Sequence, residues 1–390
     1  MTSQQERPFL SFYEKHAIIP TREVFDDRER FFRQRDYLLQ TLGIVPSLLR
    51  GSRILEIGPG TGQKAQHLLA RGPELYVAVD GNPESLRMTT AAIEECGFGG
   101  VAEVRKADFM EFEEERKYDL VLAEAVVPTQ ADPFAFLQRM KSHVSDGGIM
   151  VYTCMDSVSL LPEVLRRAIV RDLSLYDGDL NTSAERIAAF FETDLDALPG
   201  MTRLRKDWAI DQMIHPWSGP LLNIPTSLAS LGSGVDFLGS SPRLSGDWRW
   251  YKDAEVLGDG TVTWAVTNFW ALCHNLVDKR VWHDPRSASL NVALYEPTDA
   301  LYDVVMNSSW TPADRESVEM LARLALDRLP PEGVETRESL EGFLRYWRTG
   351  RSEDLDVFRP WWGRGQQFVS VVSHGAASST AEPVVTHPTG

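Results

Sequence analysis

The stretch Ile54-Leu55-Glu56-Ile57-Gly58-Pro59-Gly60-Thr61-Gly62 constrains this chain more than any other. An apolar run ending in an acid leads straight into three alternate glycines, and Gln63 to Ala70 then reads as a helix. Strand, glycine turn and helix in that order present backbone N–H groups to a bound nucleoside, because no Cβ blocks the approach. The spacing Gly-x-Gly-x-Gly is not the Gly-x-Gly-x-x-Gly of dinucleotide sites, so the expectation turns away from a dinucleotide.

The following segments repeat the theme. Pro73 to Asp80 reads as a second buried strand ending in an acid, where a carboxylate can accept both ribose hydroxyls. A third strand, Val101 to Ala107, ends at Asp108-Phe109, and a fourth, Tyr118 to Ala123, ends at Glu124-Ala125-Val126-Val127-Pro128. The fifth is Gly147 to Thr153, after a turn at Ser145-Asp146. Pro83 to Cys96 and Asp132 to Val144 have helical spacing. Apolar strands alternating with helices predict a mostly parallel sheet covered on both faces, with ligands at the carboxyl ends of the strands.

Over residues 50–154 these motifs resemble class I S-adenosylmethionine-dependent methyltransferases. The resemblance implies an α/β fold, a Rossmann-like doubly wound seven-stranded sheet with an antiparallel last strand, and S-adenosyl-L-methionine as cofactor. It makes Glu56, Gly58, Gly60 and Gly62 the cradle, Asp80 with Gly81 the ribose contact, and Asp108 the partner of the adenine amine, with Phe109 over the ring. Glu124 falls at the rim where the methyl group should lie. Family members usually carry a bulky apolar residue at the position of Gly81, so part of the adenine wall must come from elsewhere, with Phe109 the candidate. A leader folding over the cofactor is frequent in the superfamily, which brings in Tyr13, His16 and Arg22. Competing readings stand beside these: Phe109 as core, Glu124 as a structural carboxylate, Phe9 and Phe12 as anchors of the leader.

At 390 residues the chain exceeds a minimal core of this kind. A net charge of −16 disfavours nucleic acid and anionic membranes, which call for clustered Lys and Arg. The first twenty residues lack an apolar signal-peptide core, and Cys96, Cys154 and Cys273 form no paired metal motif. Gln212 to Val235 is uncharged but broken by Pro216, Pro220 and Pro225, so it is no membrane span. A reduced, cytoplasmic protein without a metal is expected.

Gly234 to Pro242 resembles the sixth strand and its exit, and Gly363 to Val372 the seventh. The expected organisation is therefore leader helices at 1–45, with a helix from Thr21 to Leu42, and the cofactor-binding core at 46–154. A helical cap insertion at 155–232, the sixth strand at 233–242, a second cap insertion at 243–360, the last strand at 361–374 and a disordered tail at 375–390 complete it. All 11 tryptophans lie after residue 207, which suits an aromatic wall for an organic substrate, a plain core, or a homodimer interface.

Methyl transfer needs an attacking lone pair in line with the departing sulfur, and a hydroxyl acceptor also needs a base. The candidates are His215, Glu124 and His16, while His274 lies in an apolar run and reads as a core histidine. Glycine-flanked Arg364 and the basic-aromatic stretch Ser240 to Lys252 are candidate substrate contacts or ordinary connections. The fourth strand lacks the Asn/Asp-Pro-Pro-Tyr/Phe that accompanies methylation of exocyclic amines in nucleic acid. The expected function is methyl transfer to an O or N atom of a small organic molecule, a specialised metabolite. A sugar or glycan end is the alternative acceptor, and a methyltransferase-like binding or regulatory protein without turnover is the rival from another class.

Overall fold

The computed structural model describes residues 27–374 apart from 199, 202, 216–219, 245–251, 253–259 and 308. Tyr13, His16, Arg22, Trp217, Trp248, Trp250 and the expected tail lie outside the described residues. In chain order the main helices are α1 (Arg28–Thr41), α2 (Gln63–Leu69), α3 (Pro83–Glu95), α4 (Pro133–His143), α5 (Leu161–Asp172), α6 (Leu180–Phe190), α7 (Ile224–Leu231), α8 (Gly260–Leu272), α9 (Ala288–Met306), α10 (Pro312–Arg328) and α11 (Val334–Thr349). The strands are β1 (Arg53–Ile57), β2 (Leu75–Asp80), β3 (Ala102–Lys106), β4 (Tyr118–Ala123), β5 (Val144–Cys154), β6 (Val235–Ser241) and β7 (Gln367–Ser373).

Local chemistry sets the helix starts. The Asp27 side chain accepts from Arg30 N–H at α1, Asn82 caps α3 ahead of Pro83, and Asp132 caps α4 ahead of Pro133. Each satisfies an N–H that has no partner within its helix. Helix α1 begins after its Asp27 cap, and the expected start at Thr21 lies outside the described residues.

The chain forms two compact units, with borders at Cys154/Met155, Trp217/Ser218, Val266/Thr267 and Gln366/Gln367. The first holds one seven-stranded sheet in the order β3-β2-β1-β4-β5-β7-β6. The β1, β2, β3, β4 and β5 pairings are parallel, and β7 runs antiparallel between β5 and β6. The sheet thus contains strands brought together from opposite ends of the chain, as the sixth- and seventh-strand motifs imply. Ser145-Asp146 lies inside β5 rather than in a turn before it, beside a register shift in the β4–β5 pairing between Tyr118 and Leu120.

One side of this sheet is sealed by Leu39, Leu42, Leu68, Leu69 and Ile93 from the helices against Ile54, Tyr76, Ala78 and Leu122 from the strands. Helix α7, expected in the cap, belongs to this unit. Its Ser230 and Leu231 carbonyls accept from Gln138 and Lys141 of α4. These bonds satisfy the last turn of α7, whose carbonyls have no partner within the helix.

The second unit is built of helices α5, α6 and α9 to α11 with shorter helical turns between them. Its core holds Trp347, Trp361 and Trp362, each fully buried. Arg166 is buried among them, 3.8 Å from the Trp362 ring centroid and 3.0 Å from an Asp194 oxygen, and it donates to the carbonyls of Trp361 and Arg359. Trp208 is buried as well, so four of the eight described tryptophans are core groups, whereas Trp282 is 58% exposed.

Candidate functional site

Strand register assembles the site. Ile57 pairs with Val79 of β2 on one side and with Ala123 of β4 on the other, so the next residues, Gly58, Asp80 and Glu124, stand side by side at the carboxyl ends of the strands. Strand order reverses across β1 and β4, the place where open α/β sheets bind ligands.

The turn after β1 is left-handed at Gly58, Gly60 and Gly62, with φ of 68°, 64° and 84°. A Cβ on Gly58 would stand 2.5 Å from Val126 Cγ2, and one on Gly62 would stand 2.8 Å from Thr89 Cα. Both glycines are therefore required by space as well as by φ. The Gly60 carbonyl oxygen lies 2.9 Å from Ser85 Oγ, whose proton serves the nearer Asp80 carboxylate.

Asp80 is oriented by its surroundings. One oxygen accepts from Asn82 N–H at 2.8 Å and the other from the Ser85 hydroxyl at 2.6 Å. Burial raises its pKa against the pull of those bonds and of the Gly81 N–H. Each oxygen keeps a further lone pair, so the carboxylate is fixed and still able to accept.

Beneath the turn lies a charge network. Glu56 is 1% exposed, takes the Tyr76 hydroxyl at 2.5 Å, and keeps Oε1 buried without a hydrogen-bond partner. Lys64 reaches Glu56 at 3.9 Å and Glu124 at 3.7 Å. Arg35 of α1 grips Glu124 with both guanidinium arms, one at 2.9 Å. Burial alone would raise the Glu124 pKa, but the Arg35 and Lys64 charges win and hold it at about 2. Burial wins at Glu56, whose pKa is raised.

The geometry corrects two expectations. Phe109 is 5% exposed, with its ring centroid 5.0 Å from Phe136 and 5.5 Å from His143. It packs in the core against helix α4 rather than standing at the surface over an adenine site. Glu124, with a pKa near 2, is an ion-pair partner and a poor proton acceptor. Asp108 caps the short helix that follows it, accepting from Met110 N–H at 2.8 Å.

His215 belongs to the helical unit and is 1% exposed, its carbonyl accepting from Arg167. Burial lowers its pKa to about 4. His274 is a core histidine, with its two ring nitrogens 3.2 Å from the amides of Asn275 and Asn291. Arg364 donates to the Asn275 carbonyl at 3.0 Å inside the same unit.

Sequence reading missed Arg35, Lys64 and Tyr76. Arg35 did carry a signal: it falls four residues before Leu39, on the buried stripe of α1, where a charge must find a partner. Among the described residues no group of His, Cys, Asp and Glu is arranged to hold a metal, and no helix is long and apolar enough to cross a membrane.

A methyltransferase-domain family model matches residues 26–197. The trans-aconitate 2-methyltransferase of Enterobacter sp. (strain 638) is 29% identical over 119 residues, 30% of this chain and 45% of that protein. The ubiquinone biosynthesis O-methyltransferase of Azorhizobium caulinodans is 32% identical over 215 residues, 50% of this chain and 78% of that protein. The chain thus spans less than half of the first relative's length and most of the second's. Among solved structures, the N-methyltransferase NodS from Bradyrhizobium japonicum is 20% identical, covering 37% of this chain and 74% of that one with a TM-score of 0.30. With a glycine turn at the strand-order reversal and a relative matched over most of its length, the chain belongs to the class I S-adenosylmethionine-dependent methyltransferase superfamily.

Proposed function

We propose that the sheet unit binds S-adenosyl-L-methionine across the carboxyl ends of β1, β2 and β4, and that the protein methylates an oxygen of a small organic molecule. The observation that carries this reading is the register, which sets the glycine turn between the Asp80 and Glu124 carboxylates. The residues fit the cofactor. The left-handed glycine turn suits a close backbone approach, fixed Asp80 suits a ribose diol, and Glu56 Oε1, which lacks a hydrogen bond, suits an amino-acid end together with the Arg35 and Lys64 cations. The bound cofactor supplies an electrophilic methyl on a positively charged sulfur.

The second relative's name specifies O-methylation, which favours an oxygen acceptor here. A strongly acidic Glu124 would be a weak base, so an acceptor oxygen that arrives ionised, a carboxylate or an acidic phenol, fits best. The net charge of −16 supports a small-molecule rather than a nucleic-acid acceptor. Cys96, Cys154 and Cys273, reduced thiols rather than disulfides, suit a reducing, cytoplasmic setting.

Calorimetric titration with S-adenosylhomocysteine should give saturable binding, and its absence would remove the reading. A panel of carboxylic acids, phenols and aliphatic alcohols, scored by mass for one added methyl, tests the acceptor. Turnover confined to the alcohols would overturn the ionised-acceptor part.

A further inference from the structure

The turn after β4 contains an unusual backbone. Ala125 has φ 61°, the left-handed region that a residue with a Cβ rarely enters. Such strain persists only where neighbours impose it, and here each residue of the turn is held differently. Glu124 is gripped by Arg35 and Lys64. Val126 is wedged against the bare Cα of Gly58, and its carbonyl accepts from the Thr129 hydroxyl at 2.6 Å. The Ala125 N–H, which leaves the ladder after the Ala123–Tyr152 pair, goes to the Thr153 hydroxyl at 2.9 Å. Thr153 is fully buried near the end of β5.

We infer that Thr153 is a positioning residue: its hydroxyl holds Ala125 left-handed and so fixes the Glu124-Ala125-Val126 turn against the sulfur-bearing end of the cofactor site. The inference rests on the methyltransferase reading of that site. If Thr153 stopped accepting, the half-buried Ala125 N–H would lose its partner, and the turn would relax toward a right-handed or extended backbone. Glu124 and the peptide oxygens beside it would then shift. A sulfonium carries a full positive charge and the product thioether none, so a change in what faces the sulfur alters the preference for one over the other.

The experiment measures dissociation constants for S-adenosylmethionine and S-adenosylhomocysteine on the full chain. Thr153→Val keeps the volume and removes the acceptor; it should weaken S-adenosylmethionine roughly tenfold more than S-adenosylhomocysteine, the loss of about one hydrogen bond to a charged site. Thr153→Ser keeps the acceptor and should keep the wild-type ratio. If Thr153→Val fails to fold, Ala125→Val probes the same turn, since a β-branched side chain resists this φ, and should lower the ratio likewise. Equal weakening of both ligands, an unchanged ratio, or a serine variant that falls as far as valine would overturn the inference while leaving the methyltransferase reading intact. Failure of the wild type to bind either ligand would remove both.

Discussion

Two buried arginines distinguish the two units. Arg166, in the helical unit, has its donors on an Asp194 oxygen and on main-chain carbonyls, with Trp362 and Phe358 on its faces. Arg35, in the sheet unit, binds a carboxylate shared with Lys64, which also reaches a second carboxylate, Glu56. The first arrangement is closed around the guanidinium itself: each of its nitrogens donates inside the core and aromatic rings lie over it. The second holds two carboxylates and two cations at the open ends of β1 and β4, with a Glu56 oxygen still lacking a hydrogen-bond partner. A closed network builds stability, whereas one with an acceptor to spare is prepared for a ligand.

The sharpest way to break this comparison is to cut each network and ask which property falls. Arg166→Ala should cost about 3–5 kcal/mol of unfolding free energy in urea, as removal of one partner from a buried pair does. It should leave the affinity for S-adenosylhomocysteine unaltered. Asp80→Ala should behave the opposite way, weakening cofactor binding by roughly 2–4 kcal/mol through two lost charged hydrogen bonds while costing less stability than Arg166→Ala, through the bonds to Asn82 and Ser85 alone. If Arg166→Ala lost affinity, or Asp80→Ala lost mainly stability, the division of labour would not stand.

The sequence made the sheet unit legible because its determinants are local. An apolar strand, a glycine turn and a terminal acid lie within a few residues, and β1, β2 and β4 place Glu56, Asp80 and Glu124 at one end. Even β6 and β7 were visible from their motifs, although more than a hundred residues separate them. Partnerships were not visible. Phe109 follows an acid at a strand end, which looks like an adenine clamp, yet Phe136 and His143 arrive from α4 and take the ring. Glu124 reads as a rim acid until Arg35, on a helix that precedes the whole sheet, is brought beside it. In the helical unit the tryptophans offered an aromatic wall, a plain core or a dimer interface as competing readings, because apolar spacing says that a residue packs but not against what.

The helical unit should also respond to pH through a carboxyl that the sheet unit does not share. Asp156 is 1% exposed, its Oδ1 accepting from Ser159 N–H at 2.8 Å, and burial raises its pKa to about 6. The folded chain then holds this proton more tightly than the unfolded chain. Its stabilising contribution is complete below about pH 4 and is lost as pH rises through 6, by roughly 2–3 kcal/mol at pH 8. Asp156→Asn keeps the acceptor for Ser159 and removes the titration, so the variant should gain on the wild type as pH rises. Burial pushes Glu163 in the same direction, to about 7, so the variant should flatten only part of the profile. Parallel profiles in urea from pH 4 to pH 8 would take Asp156 out of this role.

The smallest effect belongs to the tryptophan that escapes the core. Trp282 is 58% exposed, in contrast to Trp347, Trp361 and Trp362, each no more than 1% exposed. A single apolar side chain on the surface is ordinary and contributes little burial to lose. Trp282→Ala should therefore change the unfolding free energy by no more than about 0.5 kcal/mol. Sedimentation of the variant should match the wild type, since one exposed ring by itself does not make an interface. A shift in sedimentation would instead make Trp282 an anchor between copies of the chain. The helical unit would then carry an interface role, and the comparison would have to separate its buried tryptophans from this exposed one.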